Sequence, residues 1–465
     1  LVLVVTRSVP PEVAGRFFAA TAVFLVALAT AGLGTDTGLA RFVLRDDRYD
    51  VRRLVRIAGI PVLLVSCGLA LALAIWVPDA RPLAWALPLA AAADLCLATV
   101  RAHAMFRASV VVDRIVRPAV QVGLVALVLL LDLPGAWLAT AWAAAYAVSA
   151  VLAGRAVVAV TGGVRRGTAG AGPSGMAGGP GAREFWSFTW PRAVARIAQV
   201  GVQRLDIVLV AWLLSPTHAA VYTVATRFVV FGQLANQAVS SVVQPRFTMI
   251  LAGPADDAPA LVNRVFGVTT GWSILLAWPV YLAVAAGPAA YLGWFGSSYV
   301  TGEAIAVALV MAAGMLVAVA SGPVDTLLLM IGRSGRSLAN TLVALGLDVG
   351  LCLVLVPRIG IAGAAVAWVV AVVVRCGLAV AQLRAEIGLA PPPGGLLLAA
   401  ALPVGCVGVP VALAGLLGLS PLGWLAACLL AGTGYAAVVW RMRSRLAIDV
   451  FAGGLRPART LEVAA

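Results

Sequence analysis

Apolar runs of about 20 residues recur from one end of this chain to the other, and they restrict the fold more than any other feature. At 1.5 Å per helical residue, each run crosses roughly the 30 Å of a bilayer's hydrocarbon core. Spans are expected at 17–36, 56–77, 82–100, 115–131, 136–158, 187–213, 219–243, 265–286, 303–330, 338–356, 361–383, 395–417 and 421–440. A fragment at 1–6 precedes them. With 62% hydrophobic and 11% charged residues, the chain has no water-soluble globular solution. Short alternating segments, the mark of a membrane β-barrel, are missing. The expected class is all-α and polytopic.

The formal net charge of +14 is placed by topology. All 33 basic residues are arginines, and most sit in alternate loops: 41–56, 101–117, 155–183, 246–264, 333–336, Arg384 and 441–445. The intervening loops near Asp79, Asp132, Ser215, 287–298 and Ser420 are nearly free of arginine. Basic residues accumulate on the cytoplasmic side, so the central linker and the C-terminal tail are assigned there, in the cell membrane. No nucleic-acid partner is implied. Without lysine there is no phosphate loop of the Walker type. Six isolated cysteines lack metal or disulfide spacing, and His103 and His218 are loop residues, so no cofactor or metal is expected.

Residues 161–183 (TGGVRRGTAGAGPSGMAGGPGAR) read as a flexible linker between two similar halves. At an offset of 205, Pro11, Thr21, Arg41 and Phe42 match Pro216, Thr226, Arg246 and Phe247. At an offset of 226, Ala136, Ala139, Ala141 and Trp142 match Ala362, Ala365, Ala367 and Trp368. Both halves start on one side of the membrane, which implies parallel repeats about an axis along its normal. The domains expected are an N-terminal lobe at 1–160, a cytoplasmic linker at 161–184 and a C-terminal lobe at 185–384. Accessory helices follow at 385–441, then a tail at 442–465. Leu1 aligns with Asp206, so about twenty residues equivalent to 186–205 are expected ahead of it.

Inside the span 187–213 lies a polar line. At about 100° per residue, Arg192, Arg196, Gln199, Gln203 and Asp206 share one helical face, over roughly 21 Å. Such a stripe at membrane depth needs water, a ligand or a partner helix. Arg192 and Arg196 also suit snorkelling to an aromatic belt at Trp186 and Trp190, and the deeper three suit interhelical hydrogen bonding. Arg204 lies about 120° from Arg192 and is expected off the cavity. The next span repeats the device with Gln233, Gln237, Ser240 and Gln244, flanked by Asn236 and headed by Arg227. Amide and hydroxyl walls suit a sugar, or simple packing. Arg196, Gln199, Gln203, Asn236 and Gln237 are expected to border one central cavity. Asp36 and Asp325 are the carboxylates within spans best placed for ion coupling, with a helix cap or ion pair as the plainer role. Asp36 with Arg41 and Asp94 with Arg101 are the other ionisable candidates, and Asp348 and Arg375 suit a pair between neighbouring helices. Asp113, Arg117 and Gln121 read as loop-to-helix residues.

Three stretches carry a family likeness. PPEVAGRFFAATAVFLVALATAGLGTDTGLARFV resembles the second-helix region of bacterial polysaccharide-biosynthesis membrane proteins. RLDIVLVAWLLSPTHAAVYTVATRFVVFGQLANQAVSSVVQPRF resembles their seventh and eighth helices, and RIGIAGAAVAWVV their twelfth. These are the lipid-linked oligosaccharide flippases of the multidrug/oligosaccharidyl-lipid/polysaccharide exporter superfamily. The resemblance implies two six-helix lobes around a cavity open alternately to each side, with two further helices as in fourteen-helix members. It implies a transporter rather than an enzyme, moving a polyprenyl-diphosphate-linked oligosaccharide. Arginines, Arg41 included, would meet the diphosphate, and the glutamines, Asn236 and Ser240 the sugars. Partners are membrane lipids and polysaccharide polymerases or glycosyltransferases. A lipid II flippase, a cation-coupled exporter of the same superfamily and a scaffold of an envelope-synthesis complex are the other readings.

Overall fold

A computed structural model describes residues 1–45, 51–103, 105–167, 181–251, 258–417 and 419–447. Among the described residues the secondary structure is entirely helical. Nine helices among the described residues are long and apolar enough to cross a membrane, ten if the bent pair Pro78–Ala84 and Ala86–Ala102 counts as one span. The other three expected spans fall short for identifiable reasons. Ala182–Leu213 carries Arg192, Arg196, Arg204 and Asp206. The span at 219–243 is interrupted at 226–228, and the one at 115–131 begins with a π-helical turn at Val111–Val116.

The chain divides into two compact units, Leu1–Ala220 and Val221–Ala465. In the first are α1 (Val2–Ser8), α2 (Pro11–Ala31), α3 (Thr35–Arg45), α4 (Val51–Trp76), α5 (Ala86–Ala102), α6 (Arg117–Leu130), α7 (Ala136–Gly167) and α8 (Ala182–Leu213). α9 (Pro216–Ala225) spans the boundary. The second unit holds α10 (Val229–Leu251), α11 (Ala258–Ala286), α12 (Gly302–Ala320), α13 (Val324–Met330), α14 (Ser334–Ile359) and α15 (Ile361–Ile387). Its last helices are α16 (Pro393–Pro403), α17 (Val409–Leu416) and α18 (Pro421–Arg441).

Two expected boundaries are corrected. The linker is shorter than 161–184, because α7 runs on to Gly167 and α8 begins at Ala182; residues 168–180 lie outside the described ones. The division between units falls after Ala220, so α8 belongs to the first unit. Glycines explain the assignment. Lipid is as apolar as leucine, so close approach at small residues holds membrane helices together. A Cβ on Gly34 would come within 2.6 Å of the Ala193 nitrogen, and one on Gly38 within 2.5 Å of Thr189 Oγ1. This Gly-x-x-x-Gly seam presses α3 onto α8. Around it Leu39, Phe42, Leu54, Leu95, Ala98 and Phe185 form a buried core.

Three breaks interrupt the long helices. Between α2 and α3, Leu33 and Gly34 adopt φ of 48° and 69°, and Thr35 and Thr37 hydroxyls donate to Gly32 O (2.8 Å) and Gly34 O (2.9 Å). Between α9 and α10, Tyr291 donates to Val224 O (2.8 Å) and Tyr281 to Val229 O (3.3 Å). Between α12 and α13, Gly322 takes φ of 73°. Hydroxyls thus satisfy carbonyls released at a break, as an environment without water demands.

Candidate functional site

The first unit encloses a cavity of about 280 Å³, walled by α2, α3, α5, α7 and α8 and the approach to α6. Its charged lining is Asp36, Asp94, Asp113, Arg101, Arg117, Arg196 and Arg204, with Thr35, Tyr146 and Gln203 beside them. Arg117 is the internal tie. Its Nη2 donates to Asp113 Oδ1 (2.8 Å), its Nη1 lies 3.9 Å from Asp94 Oδ1, and its Cζ stands 5.2 Å from the Tyr146 ring centroid. Arg101 donates to Ser109 Oγ (2.9 Å). Arg196 and Arg204 make no hydrogen bond, and no ion pair within 4 Å, among the described residues. Two guanidiniums whose donors lack hydrogen-bond partners among the described residues can accept an anion there.

The stripe on α8 meets this cavity with its edge. Arg196, Val200, Gln203 and Arg204 line it, so the wetted face is turned roughly 60° from the one inferred from sequence. Arg204, expected off the cavity, is on it. Its position about 80° round from Arg196 falls within the arc that faces α2 and α7. Gln199 is exposed elsewhere on the helix, and Asp206 is buried, its Oδ1 accepting from Ile207 N (2.8 Å). Arg192 donates to Phe188 O (2.9 Å) and stacks on the Phe188 ring, and Arg41 stacks on the same ring. Asp36 lines the cavity and caps its neighbour by accepting from Thr37 N (2.8 Å), so it is not bonded to Arg41.

The second unit encloses a smaller cavity of about 120 Å³. Gln233, Asn236, Asp325, Thr326, Trp368 and Arg375 are among its walls. Asp325 pairs with Arg375 at 3.6 Å, while its Oδ1 and Arg375 Nε are buried without hydrogen-bond partners. Ser240 accepts from Thr326 Oγ1 (3.3 Å); Gln237 and Gln244 are exposed on α10. Arg227 sits in the break before α10. Of the five residues expected around one cavity, Arg196 and Gln203 line the first unit's and Asn236 the second's, while Gln199 and Gln237 line neither. A larger cleft of about 380 Å³ beside Glu12, Arg16 and Asp79 holds an exposed i,i+4 pair, Arg16–Glu12, and reads as a solvated surface.

Two expected pairings are replaced: Asp94 approaches Arg117 rather than Arg101, and Arg375 pairs with Asp325 rather than Asp348. His218, to which no partner was assigned, meets Ser215 Oγ through its Nδ1 at 2.8 Å. Asp113 and Arg117, read as loop residues, are cavity residues. Their i,i+4 spacing was visible, but the π turn that swings both toward Asp94 was not. The described residues contain no group of His, Cys, Asp and Glu able to hold a metal.

Membrane-length helices in two units, each with a polar cavity, define a multi-pass membrane protein. The chain belongs to the polysaccharide biosynthesis protein family, whose profile matches residues 18–300. No curated protein matches its sequence significantly. Among solved structures it resembles the lipid II flippase MurJ in an inward closed conformation, with TM-score 0.71 at 8% identity, over 95% of this chain and 96% of that one. It also resembles an inward-facing multidrug resistance MATE family transporter of the MOP superfamily, with TM-score 0.57 at 15% identity over 83% and 93%. A third is a MOP superfamily transporter from Pyrococcus furiosus with a binding pocket of reversed polarity, TM-score 0.53 at 14% identity over 83% and 90%. The chain shares the fold of these structures.

Proposed function

We propose that this protein is a flippase that carries a polyprenyl-diphosphate-linked oligosaccharide across the cytoplasmic membrane for surface polysaccharide synthesis. The observation that supports this most is the uncommitted pair Arg196 and Arg204 in the first unit's cavity. A diphosphate offers the charge and the paired oxygens that guanidinium forks bind. The Gln203 amide in the same cavity supplies a partner for a sugar hydroxyl stripped of water, and Gln233 and Asn236 in the second unit's cavity offer the same chemistry. Family membership supports the glycan.

On this reading the chain has the fourteen-helix layout, its two repeats exposing the polar lining alternately to each side, with the linker and tail cytoplasmic. Asp36 and Asp325 are proposed as ion-coupling carboxylates. The membrane potential supplies about 2.3 kcal/mol per charge per 100 mV. Polymerases and glycosyltransferases are its proposed partners.

The test is the outward appearance of lipid-linked glycan in a strain lacking its own flippase. One charge-assisted contact is worth roughly 1.5–3 kcal/mol, about 10- to 150-fold in binding. Arg196→Ala and Arg204→Ala should each lower transport accordingly, and Arg196→Lys should restore part, since an ammonium makes no bidentate contact. Wild-type activity of the double alanine variant at equal membrane abundance would remove the cavity from the function.

A further inference from the structure

Arg41 and Arg192 do not line the cavity, yet they are held together as deliberately as any pair in the molecule. The Arg41 Cζ lies 4.0 Å and the Arg192 Cζ 3.6 Å from the centroid of one ring, Phe188. Two positive groups are thereby kept within about 8 Å of each other. Like charges at that distance repel unless an anion lies between them. Neither makes an ion pair among the described residues, and Arg192 uses one nitrogen on the Phe188 carbonyl.

The platform is built rather than accidental. Phe188 packs edge-on to Phe42 at 5.8 Å, and Phe42 in turn packs on Phe185. The Gly34–Gly38 seam fixes α3 against α8, so Arg41, one turn past Gly38, reaches the ring that Arg192 reaches from its own helix. Stacking aims a guanidinium's edge donors outward and lowers the entropy lost on binding. The setting suits a membrane interface: Trp190 is exposed two residues before Arg192, Trp186 packs on Phe185, and Arg41 opens the arginine-rich run that the sequence assigns to the cytoplasmic side.

We infer that Arg41, Phe188 and Arg192 form a second anion site, separate from the cavity, that takes the phosphate of a membrane lipid. Arg192 stands four residues before Arg196 on α8, about 6 Å along the helix. A lipid diphosphate gathered here is one helical turn from the cavity wall, so the site serves as a loading station. That role rests on the proposed flippase reading; the phosphate chemistry does not.

The experiment uses the full chain in phosphatidylcholine nanodiscs, with binding read by native mass spectrometry. The probes are a C55 polyprenyl diphosphate, phosphatidylglycerol and inorganic phosphate. Loss of both side chains in Arg41→Ala/Arg192→Ala should weaken lipid-phosphate binding by about 100-fold or more, two charge-assisted contacts being removed. Arg41→Lys/Arg192→Lys, which keeps the charge and guards against a folding artefact, should fall between. Loss confined to the polyprenyl diphosphate identifies the loading station; equal loss for phosphatidylglycerol identifies a bulk headgroup site. Unchanged binding of both lipids to the double alanine variant overturns the inference. If that variant is impaired while Arg196→Ala/Arg204→Ala binds and transports normally, the flippase assignment of the cavity fails and the rim site stands.

Discussion

The two cavities are made of different material. The first unit's is lined by four arginines and three aspartates, and two of the arginines, Arg196 and Arg204, make no hydrogen bond or close ion pair among the described residues. The second unit's holds a single Asp325–Arg375 pair among amides, a hydroxyl and an indole. On the proposed reading the first takes an anion and the second a neutral polar group. Matching positions in the two halves show the same asymmetry: Gln233, Gln237, Ser240 and Gln244 correspond to Leu28, Gly32, Thr35 and Leu39. A repeat that conserves a helix's path need not conserve its chemistry.

The contrast is most strongly tested at Arg117. Arg117→Leu leaves Asp94 and Asp113 without their shared partner. Removing one member of a buried pair costs roughly 3–5 kcal/mol, and partial exposure of these groups reduces that to about 2–3. A clear fall in the detergent unfolding temperature is expected, relieved in the triple variant with Asp94→Asn and Asp113→Asn. No fall would mean that the network is not the first unit's stabilising element. In the second unit Arg375→Leu breaks one looser pair, 3.6 Å apart, and should cost about 1 kcal/mol by the same assay. A loss as large as that of Arg117→Leu would erase the distinction.

The smallest effect belongs to Gln233→Leu. One neutral hydrogen bond is worth about 0.5–1.5 kcal/mol, so apparent affinity for a glycan-bearing lipid should fall roughly 2- to 10-fold. Affinity for the bare polyprenyl diphosphate should stay constant. A drop for both lipids alike would show that the second cavity does not discriminate sugars.

Much of the fold was legible because membrane length and arginine placement are one-dimensional signals. The nine membrane-length helices coincide with expected spans, their ends shifted by a few residues. The site was legible only as relative angles. A helical wheel puts Arg196 and Gln203 on one side, but which arc faces the cavity depends on neighbours. That is why Arg204 was misplaced and the Arg117 network missed. The break at Leu33–Gly34 was hidden for a related reason. Leucine seldom takes positive φ, and it does so here because the Thr35 and Thr37 hydroxyls and the seam with α8 hold the turn.

Those breaks have a consequence for isotope exchange. At each one the helical ladder gives way to short three-residue bonds, Leu33 N to Thr30 O (3.2 Å), Val229 N to Thr226 O (3.1 Å) and Gly322 N to Val319 O (3.0 Å). Amides held this way open by local fluctuation, without unwinding the helices on either side. Deuterium should therefore enter at three islands near residues 33, 229 and 322, well ahead of the flanking turns. The labelling pattern would outline the joints at which each long helix is free to bend.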